Sequence, residues 1–258
     1  MDKPKLIFKY RALSNQEDIN RFQDIIKNHR LYLPTVYQLN DPFEGKIDIS
    51  PGIMGDFIRR AMDIDLYPTR IVKHNTRVLA LSEDCFSPLL WAYYCNDYHG
   101  ACLCYKTDKS FSTINPVKYS ESIEVGNGEI VNGYKRVLEL IKDSLFIKQK
   151  DWEYEREWRM IFQQDEDDLV FEEERIEGKF FHYEPNELVG VILGDNLDRS
   201  IKERIREIVP DSIKVFEVHT GALSGKVKLF EYGYVYPGDG SDPDYICTIE
   251  ELLARTDS

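Results

Sequence analysis

The chain has 258 residues, of which 33 are Lys or Arg and 46 are Asp or Glu, so its net charge is −13. Hydrophobic residues make up 42% and charged residues 31%, which is typical of a globular protein and excludes a disordered one. No run approaches the ~20 apolar residues of a membrane span, and we expect neither such a span nor a secretory signal. The acidic balance disfavours non-specific coating of nucleic acid. Five cysteines without regular spacing favour free thiols in a reducing cytoplasm.

The first part of the chain predicts a strand, a helix, a second strand and a long loop. Residues 6–10 are an apolar strand candidate. Ser14 and Glu17 form a capping-box pattern ahead of apolar residues at helical spacing, so a helix is expected from Ser14 to about residue 29. Residues 31–33 predict the next strand, and the loop after it contains Asn-Asp-Pro-Phe-Glu-Gly at 40–45.

The rest of the chain mixes helices and strands without strict alternation. Further helices are predicted at 54–62, 89–95, 130–146, 198–208 and 248–254. Further strands are predicted at 77–82, 101–105, 116–119, 179–183, 188–193, 213–218 and 227–231. This order favours an α+β fold with a mixed, largely antiparallel split sheet and flanking helices. We expect one domain over 1–235 and a C-terminal tail over 236–258.

Residues 151–162 alternate between aromatic or apolar side chains and charged ones. Trp158 and Phe162 fall on one face of an extended chain, whereas Glu155, Glu157 and Arg159 fall on the other. The pattern predicts one half-buried strand, on which the two carboxylates point to the same side.

Several motifs resemble a bacterial family known as domain of unknown function 2971, over roughly residues 6–194. The two most specific are the Asn-Asp-Pro-Phe-Glu and Tyr-Glu-x-Glu-x-Arg blocks. The matching segments are Phe8-Lys-Tyr-Arg11, Leu39-Asn-Asp-Pro-Phe-Glu44, Leu79-Ala-Leu-Ser82, Leu90-Trp-Ala92, His99-Gly100 and Trp152-x-Tyr-Glu-x-Glu-Trp-Arg159. The family name implies no established activity, so function is argued from the residues.

One constellation is similar to that of some ADP-ribosyltransferases, which carry an Arg, a Ser and a Glu-x-Glu on successive core strands. Arg11, Ser82 and the Glu155/Glu157 pair stand in that order. Cleavage of the nicotinamide–ribose bond of NAD builds positive charge on the ribose, as glycoside cleavage does. A fixed carboxylate stabilises that charge, and a second one orients or deprotonates the acceptor. We assign these roles to Glu157 and Glu155.

The same hypothesis places further side chains around NAD as substrate. Arg11 would pair with the pyrophosphate through its planar fork, and Ser82 would hold the ribose or the strand geometry. Tyr10 would stack on the nicotinamide. The remaining expected binding residues are Asn40, Asp41, Glu44, His99 and Arg159. The expected partner besides NAD is a macromolecular acceptor in the cytoplasm, and a toxin or phage-defence role is a conjecture from the enzyme class.

Each motif also has a structural interpretation. The acidic face of 151–162 is equally typical of a solvated edge strand, and the loop at 40–45 is typical of a turn in which Asn40 or Asp41 caps the backbone. A non-catalytic nucleotide-binding or interaction module is therefore an alternative. A second alternative is a metal-dependent phosphodiesterase or nuclease, with Asp41 and Glu44 joining Glu155 or Glu157 around a divalent cation.

The cysteines near residue 100 have the ligand types of a zinc site but not its usual spacing. They follow the pattern Cys95-x3-His99-x2-Cys102-x-Cys104. Cys102 and Cys104 lie within an apolar segment, where a free cysteine behaves as a small hydrophobe. We expect buried thiols, no bound metal, and His99 as a polar residue at the end of the sheet.

Overall fold

The computed structural model describes residues 2–44, 48–49, 73–121, 124–125, 142–163, 175–220, 227–233, 246 and 248–257. The chain divides into two units. Unit 1 comprises Leu31–Ala80 and Thr113–Phe181, and unit 2 comprises Asp2–Arg30, Leu81–Ser112 and His182–Ser258. The described residues form helices and a large, mostly antiparallel sheet, which confirms the α+β class. Within these ranges, no helix has the length and apolar composition needed to cross a membrane.

The described helices and strands are numbered in chain order. The helices are α1 (Gln16–Asn28), α2 (Pro88–Tyr94), α3 (Arg199–Ile208) and α4 (Ile249–Thr256). The strands are β1 (Leu6–Ala12), β2 (Arg30–Tyr32), β3 (Asp48–Ile49), β4 (Thr76–Ser82), β5 (Gly100–Lys106), β6 (Asn115–Pro116), β7 (Lys118–Ser120), β8 (Glu124–Val125), β9 (Ile147–Gln149), β10 (Glu157–Gln163), β11 (Ile176–Glu177), β12 (Phe180–His182), β13 (Leu188–Leu193), β14 (Lys214–Thr220) and β15 (Val227–Glu231). The predicted helix at 54–62 and most of the one at 130–146 lie outside the described residues.

The first helix begins one residue later than the capping-box pattern predicts. The Asn15 side chain, not that of Ser14, accepts the Asp18 backbone N–H at 2.9 Å. The Ser14 hydroxyl instead accepts a hydrogen bond from the Asn96 side chain. The helix ends at His29, whose left-handed backbone (φ 48°) terminates the hydrogen-bond ladder.

Unit 2 is built on the strand order β15-β14-β13-β5-β1. Its strands pair antiparallel except β13 and β14, which are parallel and are connected through α3. Parallel neighbours need such a crossover, whereas antiparallel neighbours do not. Beyond β1, Ser82 at the end of β4 lies opposite Phe8. Ile246, a described residue of the predicted tail, forms a bridge with Leu229 of this unit.

Two glycines allow backbone segments of unit 2 to approach each other closely. A Cβ atom on Gly100 would lie 2.3 Å from the Arg11 carbonyl oxygen, and one on Gly194 would lie 2.0 Å from that of Tyr98. Three consecutive residues between α2 and Gly100 have positive φ angles, namely Asn96, Asp97 and Tyr98. The end of α2 therefore turns back tightly onto the start of β5.

Unit 1 places β10 between β4 and β6. Trp158 of β10 lies opposite Pro116 of β6, and Arg159 lies opposite Asn115. An apolar cluster of Val36, Val78 and Leu145, with Leu39 and Ile161 packed against it, forms part of its core. β10 is an inner strand of the sheet, and its residues Glu157–Met160 and Phe162 are buried.

Candidate active site

The segment that carries the two predicted catalytic carboxylates is not one continuous strand. Lys150–Glu155 forms a 3-10 helix, and Arg156 has a left-handed backbone (φ 44°) before β10 begins at Glu157. The prediction of a half-buried strand over 151–162 is therefore wrong in its first half. It is also wrong about exposure, because Glu155, Glu157 and Arg159 are all buried. The alternating pattern described side-chain types correctly but gave no sign of the turn at Arg156.

The Glu157 carboxylate is held by two cations. Arg159 donates to it from Nε at 2.6 Å and from Nη2 at 3.0 Å, and Lys148 Nζ donates at 2.9 Å. Burial opposes ionisation, but Arg159 and Lys148 outweigh it and lower the pKa of Glu157 to about 2. A carboxylate offers about four acceptor positions. Three are occupied here, so one position on Oε1 has no donor among the described residues.

Lys148 joins the two acidic residues that the sequence pattern paired by spacing. Its ammonium group binds Oε2 of Glu155 at 2.5 Å and Oε2 of Glu157 at 2.9 Å, and it lies 4.7 Å from the centre of the Trp152 ring. Burial disfavours the charged ammonium, but Glu157 and Glu155 together raise the pKa of Lys148. Sequence reasoning missed this residue, because a single lysine in a short strand carries no recognisable motif.

Arg159 is the centre of the charged network. Its guanidinium is 1% exposed, and all five of its N–H groups have acceptors. The acceptors are both carboxylate oxygens of Glu157, both carboxylate oxygens of Glu44 and the carbonyl oxygen of Leu145. The distance from Nη1 to Oε2 of Glu44 is 2.8 Å. Because Glu157 and Arg159 are two residues apart on β10, their side chains leave the strand on the same side.

The described part of the predicted loop, residues 40–44, is both a turn and a contributor to the network. Asp41 is buried, and its Oδ1 accepts the backbone N–H of Phe43 at 2.8 Å while its carbonyl oxygen accepts that of Glu44 at 3.1 Å. This Asx-type turn directs Glu44 to Arg159. Asn40 is exposed. The structure thus brings Glu44, Glu155, Glu157 and Arg159 together in unit 1, with Asp41 shaping the turn.

The other predicted residues lie in unit 2. Tyr10 is buried, packs edge-on against Trp91 with ring centres 5.3 Å apart, and donates its hydroxyl to the Asp84 carbonyl at 2.8 Å. Ser82 is also buried, and its Oγ accepts the Asp84 backbone N–H at 3.0 Å. Tyr10 and Ser82 therefore meet at the same turn. His99 is exposed, with Nδ1 2.9 Å from the Asn96 carbonyl oxygen.

Arg11 differs from Arg159 in that no acidic side chain of the described residues pairs with it. Its side chain is half-buried, and its Nε is buried without a hydrogen-bond partner. Within the described ranges, its guanidinium forms no ion pair. Burial lowers the pKa of Arg11. An arginine has no neutral form at physiological pH, so this cation offers a position for an anionic ligand.

Neither of the sequence patterns considered for a metal forms a ligand cluster among the described residues. Cys85, Cys95, Cys102 and Cys104 are buried free thiols, and burial raises the pKa of Cys95 to about 12. Between Glu44 and Glu157, the Arg159 guanidinium takes the position that the phosphodiesterase hypothesis requires for a cation.

Comparisons of the chain with protein-family models, with curated proteins and with solved structures find no match.

Proposed function

We propose that this chain is an NAD-cleaving enzyme of the ADP-ribosyltransferase type. In this proposal Glu157 stabilises the positive charge that develops on the nicotinamide-bearing ribose. The observation that carries it is the state of the Glu157 carboxylate. Its pKa of about 2 keeps it ionised at physiological pH, and Arg159 and Lys148 fix its orientation. One acceptor position on Oε1 has no donor among the described residues, and the proposal assigns this position to a ribose hydroxyl. A fixed charge in a water-poor site acts strongly on a developing cation.

The proposed step breaks the bond between ribose C1′ and the nicotinamide nitrogen. The bonding electron pair leaves with nicotinamide, which becomes neutral, and the ribosyl cation is attacked by a nucleophilic group of a protein or nucleic-acid acceptor. That group loses its proton to Glu155, whose carboxylate shares Lys148 with Glu157. The fold proposed with this reaction is the ADP-ribosyltransferase type, and the α+β sheet supports it only at the level of fold class.

The test measures nicotinamide release from NAD and transfer of label from adenine-labelled NAD to cell-extract macromolecules. Glu157→Gln removes the charge but keeps the shape of the side chain, and we expect it to abolish both signals. Glu187→Gln is the matched control, because Glu187 is also buried and accepts the backbone N–H groups of Ser110 and Glu184.

Thermal denaturation of both variants separates a catalytic role from a structural one. If Glu157→Gln is folded at the assay temperature and inactive while Glu187→Gln is active, the proposal is supported. Nicotinamide release by Glu157→Gln at the wild-type rate would show that this carboxylate does not act on the ribose. Absence of release by the wild-type protein, with and without extract, would refute the enzyme itself.

A second candidate function is a non-catalytic nucleotide-binding module, and the unpaired guanidinium of Arg11 favours it. A half-buried arginine without an acid partner is suited to hold a phosphate or pyrophosphate through two parallel hydrogen bonds. Titration calorimetry with NAD and with ADP tests this function. We expect heat of binding for the wild-type protein and for Arg206→Met, which changes a partly exposed arginine of the same unit, but not for Arg11→Met. Binding without nicotinamide release would favour the module over the enzyme.

A further inference from the structure

The backbone of Glu157 is held by Tyr119, a half-buried residue of β7 that has no role in the function proposed above. The Tyr119 hydroxyl oxygen accepts the Glu157 backbone N–H at 2.7 Å. Tyr119 lies opposite Lys148 in the parallel pair of β7 and β9, and Lys148 binds the Glu157 carboxylate at 2.9 Å. Two side chains from one register position of this short strand pair therefore meet at Glu157.

The Tyr119 hydroxyl also has a proton to donate. A phenol can both accept and donate a hydrogen bond, and among the described residues Tyr119 only accepts one. Burial raises the pKa of Tyr119, and the nearby carboxylates of Glu157 and Glu155 raise it further. The hydroxyl therefore keeps its proton at physiological pH and is a neutral donor beside the two acids.

The charged donors around Glu157 are already engaged. All five N–H groups of Arg159 have acceptors, and the ammonium group of Lys148 binds two carboxylates and lies against the Trp152 ring. The described part of the site thus combines an acceptor position on Glu157 Oε1 with the hydroxyl donor of Tyr119. An acceptor near a donor is complementary to two adjacent hydroxyl groups, because one of them donates while the oxygen of the other accepts.

We infer that Tyr119, together with Glu157, binds the vicinal diol of the nicotinamide-bearing ribose. The 2′-hydroxyl donates to Glu157 Oε1, and the 3′-hydroxyl oxygen accepts the proton of Tyr119. The identity of the ribose rests on the proposed function, whereas recognition of the diol does not require cleavage. The 3′-hydroxyl is remote from the bond that breaks, so its hydrogen bond has similar strength in the substrate and in the transition state. Tyr119 therefore acts on KM more than on kcat.

The test compares NAD with an analogue that lacks the 3′-hydroxyl of the nicotinamide ribose. Nicotinamide release gives KM and kcat, and titration calorimetry gives the dissociation constant if NAD is bound but not cleaved. The wild-type protein should bind the analogue about 3- to 10-fold more weakly than NAD. Tyr119→Phe should lose a similar factor for NAD but bind the two ligands within about 2-fold of each other, with little change in kcat. Tyr32→Phe is the matched control and should discriminate as the wild-type protein does, since Tyr32 is also half-buried in unit 1 and donates its hydroxyl to Gln38.

The ratio between the two ligands separates contact with the ribose from a structural role. If Tyr119 served only as the acceptor for the Glu157 N–H, Tyr119→Phe would change both affinities alike and keep the wild-type ratio, which would overturn the inference. Equal affinity of the wild-type protein for the two ligands would overturn it as well, whether or not the variant folds. Binding with the expected ratios but without nicotinamide release would support the inference and refute the proposed function. Nicotinamide release with an unchanged ratio in Tyr119→Phe would do the reverse, and absence of both binding and release would overturn both.

Discussion

Replacing Arg159 by Met should destabilise the protein strongly, because this guanidinium is the only cation among the described residues that contacts Glu44. The substitution keeps the length and apolar volume of the side chain but removes five hydrogen bonds. Glu157 would retain Lys148, whereas Glu44 would be a buried carboxylate without any described side-chain partner. Removing one partner of a buried ion pair typically costs about 3–5 kcal/mol. We expect a loss of that size in the free energy of unfolding at pH 7.

Urea unfolding followed by tryptophan fluorescence measures this loss, since Trp152 and Trp158 both lie in unit 1. The matched control is Arg199→Met, because Arg199 forms an exposed helical ion pair with Glu203 that is worth about 0.3–0.5 kcal/mol. A change below about 1 kcal/mol at pH 7 would refute the role assigned to this network.

Three further predictions concern acid stability, close backbone contacts and thiol reactivity. The pKa of Glu157 is about 2 in the folded protein and 4.5 for the free group. Its contribution to stability is therefore present above pH 4.5 and is lost as the pH falls towards 2. In Glu157→Gln, the slope of the unfolding free energy against pH in this window should fall by up to about 1.4 kcal/mol per pH unit. Gly194→Ala should prevent folding or lower the melting temperature sharply, because the new Cβ would overlap the Tyr98 carbonyl oxygen. The control Gly178→Ala places its Cβ where no atom lies within 4 Å, so it should cost only about 1 kcal/mol for the positive φ at that position. Similar melting temperatures for the two variants would contradict the predicted overlap at Gly194. A thiol reagent at pH 8 should modify the buried cysteines Cys85, Cys95, Cys102 and Cys104 only after denaturation. Mass spectrometry of the peptide that contains each cysteine measures its modification.

Element type could be predicted well where one local signal dominates. The strands Leu188–Leu193 and Val227–Glu231 have the predicted bounds. The first is a nearly continuous apolar run and the second alternates apolar and charged residues at its start, and both patterns are typical of strands. The helix Pro88–Tyr94 follows from Ser87 as cap and proline in the first turn. The division into two units could not be predicted in this way, since each is assembled from segments distant in sequence.

The candidate site was predictable in part. Glu155, Glu157 and Arg159 lie within five residues of one another, and Glu157 and Arg159 lie on the same face of β10. The ion pair between Glu157 and Arg159 therefore follows from local geometry alone. Glu44 joins them across a separation of 115 residues, which no local pattern encodes. Burial was the least predictable property. An alternation of aromatic and charged residues is equally compatible with a solvated face and with a charged face that packs against an acidic turn.

The extent of this buried network favours a role beyond stability. Taking several charges out of water costs free energy that their mutual attraction often fails to recover, and apolar side chains of similar volume can stabilise such a position as well or better. What apolar side chains cannot do is hold a carboxylate ionised in one orientation. In this protein Arg159 holds both oxygens of Glu157, Lys148 holds one of them, and the turn around Asp41 delivers Glu44 to the far side of the same guanidinium. The arrangement therefore fixes the position of the Glu157 carboxylate, and the proposed function requires a carboxylate fixed in this way.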